Sequence, residues 1–144
     1  MNRHPGAGKD RLNNGLPKVK GALNNMDWGG LNLALEDTSD FQSAAWAVEE
    51  LKRKHDRPFF IGCGIFRPHM PWFVPQKHFD RFPLDTITNT RIDETDLDDI
   101  PTAGKNVSGG LRANSDYQTL KRHGLITEAT RAYLANINYA DECI

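Results

Sequence analysis

The sequence predicts an α/β protein, and three observations carry that prediction. A helical stripe of apolar residues over about 40–55 ends at a proline. A dense apolar run at 59–66 follows at once, and a second helical pattern begins near residue 127. A helix leading directly into a buried strand is half of an α/β repeat.

Taken in order, residues 1–35 carry the turn signals Asn13-Asn14-Gly15 and Asn24-Asn25 and no sustained period, which reads as an irregular surface segment. The first helix is expected over about Asp40 to His55. Phe41, Ala44, Ala45, Val48 and Leu51 recur at i, i+3, i+4, i+7 and i+10, a single apolar stripe. Ser39 with Gln42 makes a capping box, and Glu36 and Asp37 sit near the positive helix start. Lys52, Arg53, Lys54 and His55 suit the negative end, and Pro58 forbids continuation.

The run Phe59-Phe60-Ile61-Gly62-Cys63-Gly64-Ile65-Phe66 lies between Pro58 and Pro68 and is rich in aromatic and β-branched residues. It predicts a strand buried on both faces, with Cys63 as a small hydrophobe inside it. Pro75 opens a short helix through Phe82, with Lys77 and His78 on its exposed surface. Residues 86–108 are long and irregular and hold Asp93, Glu94, Asp96, Asp98 and Asp99. Their spacing lacks the alternating ligands and central glycine of an EF-hand, so a solvated loop is expected. The last helix starts with Thr127 as N-cap and Glu128 in its first turn, and Ile126, Tyr133, Leu134, Ile137 and Ile144 form its expected apolar face.

The composition bounds function more than it defines it. A chain of 144 residues can bury a sizeable core, but 12 glycines and 8 prolines indicate much loop. A net charge of −1 gives no bulk attraction to nucleic acid or to an anionic membrane. No apolar stretch approaches the roughly 20 residues of a bilayer span. Met1 to Gly6 has no apolar core of a signal peptide. Cys63 and Cys143 alone make no disulfide framework, and His55, Cys63, His69 and His78 form no metal-ligand spacing.

The chemistry concentrates in Arg67-Pro68-His69-Met70-Pro71-Trp72, expected just beyond the carboxyl end of the 59–66 strand, where open α/β sheets bind ligands. Two prolines restrain this loop, so the His69 imidazole loses little entropy on binding. It could donate to an anion, or cap a backbone carbonyl as an ordinary loop histidine. The Arg67 guanidinium has two readings, an acidic substrate group or a carboxylate of its own protein. Trp72 either walls a pocket or packs beneath the loop.

The wider pattern, PFF-x-x-x-G-x-x-(K/R)-PH-x-P-(W/F)-x-x-P from Pro58 to Pro75, resembles the middle of type I sulfatases, nearest to iduronate-2-sulfatase and choline-sulfatase. Further matches follow in family order: Asn25 to Gly29, Gln42 to Val48, Asp98 to Pro101, and Tyr133 to Asp141. The resemblance covers nearly the whole chain from about Asn24. It implies that residues 1–144 are an internal part of a catalytic domain, within an alkaline-phosphatase-like sandwich of helices on a central mixed sheet.

What the resemblance implies for chemistry is sulfate-ester hydrolysis through calcium and a formylglycine made within a C-x-P-S-R motif. The substrate would be a small-molecule or glycan sulfate ester, and many such enzymes are periplasmic or secreted. His69 matches the histidine that contacts sulfate, Arg67 a position held by Lys or Arg, and Trp72 an aromatic beside them. Neither cysteine has the formylglycine context, and the family's calcium-binding Asp pairs have no match here. The isolated chain is therefore expected to be inactive. Two alternatives remain: a non-catalytic sulfatase-like interaction protein, or a phosphodiesterase or phosphonate hydrolase of the same superfamily.

Overall fold

The computed structural model describes residues 11–18, 25–93, 95–107 and 116–144. Its elements run β1 (Trp28–Leu31), a 3₁₀ turn (Leu35–Asp37), α1 (Ser39–Lys52), β2 (Trp72–Pro75), α2 (Gln76–Asp80), a 3₁₀ turn (Leu84–Thr86), α3 (Thr102–Val107), α4 (Asp116–Arg122) and α5 (Ile126–Cys143). β1 and β2 pair in parallel, with Trp28 opposite Trp72 and Leu31 opposite Pro75. Parallel partners need a long crossover, and α1 lies within it. The chain is thus of mixed α/β class with a small parallel sheet.

α5 packs against this sheet and against α2, α1 and α4. The core joins Trp28, Val74 and Phe79 to Ala129, Ala132, Ala135, Tyr139 and Cys143. Ala132 and Ala135 are fully buried. Small side chains at this seam let the helix backbone approach the strands, where larger ones would need room that a close-packed interior lacks. Before α5, Gly124 adopts φ 67 and closes the turn out of α4. That left-handed conformation costs glycine nothing and burdens other residues. Among the described residues, no helix is long and apolar enough to cross a membrane.

Several expectations are corrected here. The 59–66 run forms no strand: no described strand pairs with it, and Phe59, Phe60 and Phe66 are exposed. Its residues have strand character, but a ladder needs a partner edge, and the described sheet holds two strands only. Cys63 is accordingly exposed, not buried, with its Sγ donating weakly to Ser43 O at 3.6 Å. The Arg67–Trp72 loop therefore leads into the amino end of β2 instead of following the carboxyl end of a strand.

The segment expected to be irregular through residue 35 contains β1, whose Trp28 is buried in the core. Asn24, Glu94 and Ser108 lie outside the described residues. α3 falls within the expected 86–108 loop, and α4 follows it. α1 runs Ser39–Lys52 instead of about Asp40 to His55, and its N-cap is Thr38, not Ser39; Thr38 makes no side-chain cap bond, while Gln42 Nε2 donates to Glu36 O at 3.2 Å. The apolar stripe of α1 is largely uncovered: Leu51 is 62% exposed, and only Asp40 and Ala47 are buried. On α5 the buried face is the Ala129, Ala132, Ala135, Asn136, Tyr139, Cys143 stripe, whereas Tyr133, Ile137 and Ile144 face solvent.

Candidate functional site

The loop from Phe66 to Trp72 is held from three sides. On the first, the Asp40 carboxylate of α1 accepts the backbone N–H of Phe66 and of Arg67, each at 3.0 Å. On the second, Arg67 braces the loop from within. Its Nε and one terminal nitrogen donate to Phe73 O at 3.3 and 3.1 Å, and its other terminal nitrogen donates to His69 O at 3.1 Å. On the third, Trp72 Nε1 donates to Pro68 O at 2.8 Å and Trp72 N to Asp27 O at 2.8 Å. The Arg67–Pro68 and Met70–Pro71 peptide bonds are both cis.

His69 is exposed at the tip of this frame. Its backbone N–H donates to Phe66 O at 3.0 Å, and its ring stacks on the Phe66 ring with centroids 4.7 Å apart. Nδ1 lies 2.6 Å from Met70 O. A carbonyl only accepts, so this contact assigns the proton to Nδ1. In the neutral ring Nε2 is then an acceptor, and it becomes a donor only in the imidazolium. The arrangement can thus offer one outward-facing cationic donor on a braced loop.

The other expected site residues are placed as follows. The Arg67 guanidinium is largely buried, and burial lowers its pKa below the ordinary value, opposed by the charges of Asp40 and Tyr139. It stays charged, as arginine does in proteins. Its donors go to backbone carbonyls, and its charge lies near Asp40. Trp72 packs between Trp28, at 6.1 Å, and the edge of Tyr133, at 5.7 Å. The structure thus joins Arg67 and His69 directly and sets Trp72 beneath their loop.

His78 was expected on an exposed surface and is instead 1% exposed. Its Nδ1 donates to Asn138 Oδ1 at 3.1 Å, its ring meets Tyr139 edge-on, and its Nε2 lies 3.5 Å from Glu142 Oε2. α5 covers the face of α2 that a short isolated helix would leave in water. Lys77 stays partly exposed and pairs with Glu142 at 2.6 Å.

Two carboxylates escaped the sequence reading. Asp40 looks like an ordinary acid at a helix start, and its partners are 26 and 27 residues away. Asp27 is buried and accepts from the amides of Asn13, Asn14 and Trp28 and from the Asn13 side chain. Nothing in the local sequence marks Asp27, because its Asn13 and Asn14 partners lie 14 and 13 residues away.

Calcium and formylglycine do not fit the residues described. Among them, no group of three or more His, Cys, Asp or Glu could hold a metal ion. Both cysteines are free thiols: Cys63 stands exposed between glycines, and Cys143 is buried, where desolvation raises its pKa. One open depression lies between α1 and Gly62–Gly64, and another at the carboxyl ends of β1 and β2. His69 lines neither.

A short β–α–β unit with a braced loop and one exposed imidazole makes this an α/β segment. Comparison with curated proteins says of which family. The chain is 32% identical to a sulfatase of Formosa agariphila over 117 residues, covering 81% of this chain and 23% of the relative. It is 28% and 27% identical to the iduronate 2-sulfatases of Mus musculus and Homo sapiens, each over 74% of this chain and 20% of the relative. The chain belongs to the sulfatase family, and it spans about a fifth to a quarter of the length of these relatives. No family model matches it. No solved structure matches it either.

Proposed function

We propose that this chain is part of the catalytic domain of a sulfuric ester hydrolase and that His69 contacts the sulfate group. One observation carries the reading: Met70 O holds Nδ1 at 2.6 Å, so the Nε2 side of the exposed ring is left for substrate. As imidazolium, His69 would donate from Nε2 to a sulfate or leaving-group oxygen, where negative charge grows in the transition state. Arg67 and Trp72 support the loop from below. Substrates would be small-molecule or glycan sulfate esters.

The family's calcium and formylglycine would supply Lewis acidity and the nucleophile from outside the residues described here. The complete domain would adopt the alkaline-phosphatase-like sandwich, with this β–α–β unit as one part. A second reading, a non-catalytic interaction protein, draws on the exposed Trp46, Leu51 and Phe60. The test uses a full-length sulfatase containing this segment. His69→Ala should lower kcat on an aryl sulfate on the order of 10²–10³-fold, roughly 3 kcal/mol, as for loss of one preorganised donor. Undiminished kcat with an unchanged pH profile would overturn the assignment. Turnover of a phosphodiester in preference to the sulfate would move the chain to another activity of the superfamily.

A further inference from the structure

We infer that Asp40 is the positioning residue for His69, fixing where the imidazole stands although it never touches the ring. The inference rests on the reading that His69 meets the sulfate group. Asp40 is 5% exposed, and each of its two oxygens takes one backbone N–H, from Phe66 and from Arg67. Hydrogen bonds to an ionised acceptor are stronger than neutral ones, and a buried carboxylate is costly to leave unpaired. Its place in the first turn of α1 adds the favourable end of the helix dipole.

What separates positioning from plain stability is where those two amides lead. Phe66 supplies the ring on which the imidazole stacks and the carbonyl that accepts the His69 N–H at 3.0 Å. Arg67 supplies the guanidinium that holds His69 O at 3.1 Å. Both residues that set the ring from the N-terminal side hang from one carboxylate on a helix. The charge of Asp40 also lies near the largely buried Arg67 cation. Moving this anchor shifts the imidazole as a unit, and displacement by about 1 Å at a reacting centre can lower a rate on the order of 10²-fold.

The test compares Asp40→Asn, Asp40→Glu and Thr38→Val in the full-length enzyme. Asparagine keeps one acceptor and turns an NH₂ towards the second amide, so one bond is lost. Glutamate keeps both acceptors on a longer arm. Thr38 anchors the same helix start through Tyr139 and makes no described bond to the loop, so it controls for stability. Asp40→Asn should reduce kcat about 10–100-fold with KM changed less than about threefold, and Asp40→Glu should recover part of that loss. Thr38→Val should lower Tm and leave kcat near wild type. Imidazole nitrogen NMR of His69 should show the Nδ1-protonated tautomer in wild type and Thr38→Val, and a mixture in Asp40→Asn.

Asp40→Asn with wild-type kcat and tautomer at reduced Tm would make Asp40 structural only and overturn the inference. If Asp40→Asn fails to fold, Asp40→Glu decides by the same two readouts. Should His69→Ala itself retain activity, the sulfate reading fails, while the NMR arm still reports whether Asp40 fixes the ring.

Discussion

α5 and α1 are the two longest helices among the described residues, and they treat apolar residues in opposite ways. α5 buries Ala129, Ala132, Ala135, Tyr139 and Cys143 against the sheet, α1 and α2. α1 buries Ala47 and Asp40, while Trp46, Val48 and Leu51 stay exposed, as do Phe59, Phe60 and Phe66 after it. Hydrophobicity alone ranks these faces the other way. The α5 seam is decided by shape, because small side chains admit close approach. α1 is held at its first turn by polar contacts, through Thr38 to Tyr139 and Asp40 to the loop. Of these two contacts, only that of Asp40 reaches the loop of the candidate site.

The same contrast divides the two histidines nine positions apart, and it gives the largest expected effects. His69→Ala should cost on the order of 10²–10³ in kcat while stability moves within about 0.5 kcal/mol, as for an exposed substitution. His78→Ala should do the reverse. It removes a part-buried hydrogen bond to Asn138 and leaves a cavity beside Tyr139, so urea unfolding should show about 2–4 kcal/mol of destabilisation. Equal stability losses for the two variants would break the comparison.

The helices themselves can be set against each other next. Ala132→Leu places a bulky side chain at a fully buried position without changing helix propensity much, so overpacking should destabilise by about 1–3 kcal/mol. Leu51→Ser, at an exposed position, should change stability by no more than about 0.5 kcal/mol. If Leu51→Ser proves as damaging as Ala132→Leu in urea melts, the α1 face is covered in solution.

The legible parts of this molecule were those written locally. The apolar stripe and Pro58 place α1 to within a few residues, Pro75 caps α2, and the Arg67–Trp72 loop stands out by its residues alone. The parts that were not legible depend on partners distant in sequence. Trp28-Gly-Gly-Leu31 has no strand propensity to speak of, and it becomes β1 because β2 pairs with it more than forty residues on. Phe59 to Phe66 has the propensity and no strand partner among the described residues. Asp40 and His78 each take their role from a segment far along the chain, as does the choice of face on α5. Pattern names a residue's preference; packing decides whether it is granted.

Tyr139 joins the two helices, and its effect should be smaller and depend on pH. Its hydroxyl donates to Thr38 Oγ1 at 2.7 Å, and burial pushes its pKa up to about 12. The folded value exceeds the unfolded one of about 10, so the contribution is whole below pH 10. It is lost as pH rises from there through the folded value. Tyr139→Phe should remove about 1 kcal/mol near neutrality. It should also abolish this alkaline component of the loss in Tm. A wild-type alkaline decline retained in full by the variant would assign it to other groups.

The smallest effect belongs to the surface pair that closes α5 onto α2. Lys77 Nζ lies 2.6 Å from Glu142 Oε1, and that hydrogen bond is the leading cause of a lowered Glu142 pKa, with burial opposing it. A depressed folded value means the contribution is present above the unfolded carboxyl range and is lost as pH falls through the folded value. Both side chains are substantially exposed, so solvent and salt screen the pair. Glu142→Gln should therefore cost no more than about 1 kcal/mol at neutral pH and low salt, and less at high salt. Below the folded pKa the wild type has lost the same charge, so the two Tm curves should converge in acid. A gap that persists or widens there would mean that Glu142 acts through something other than its charge, with the approach of its Oε2 to the buried His78 as the first contact to test.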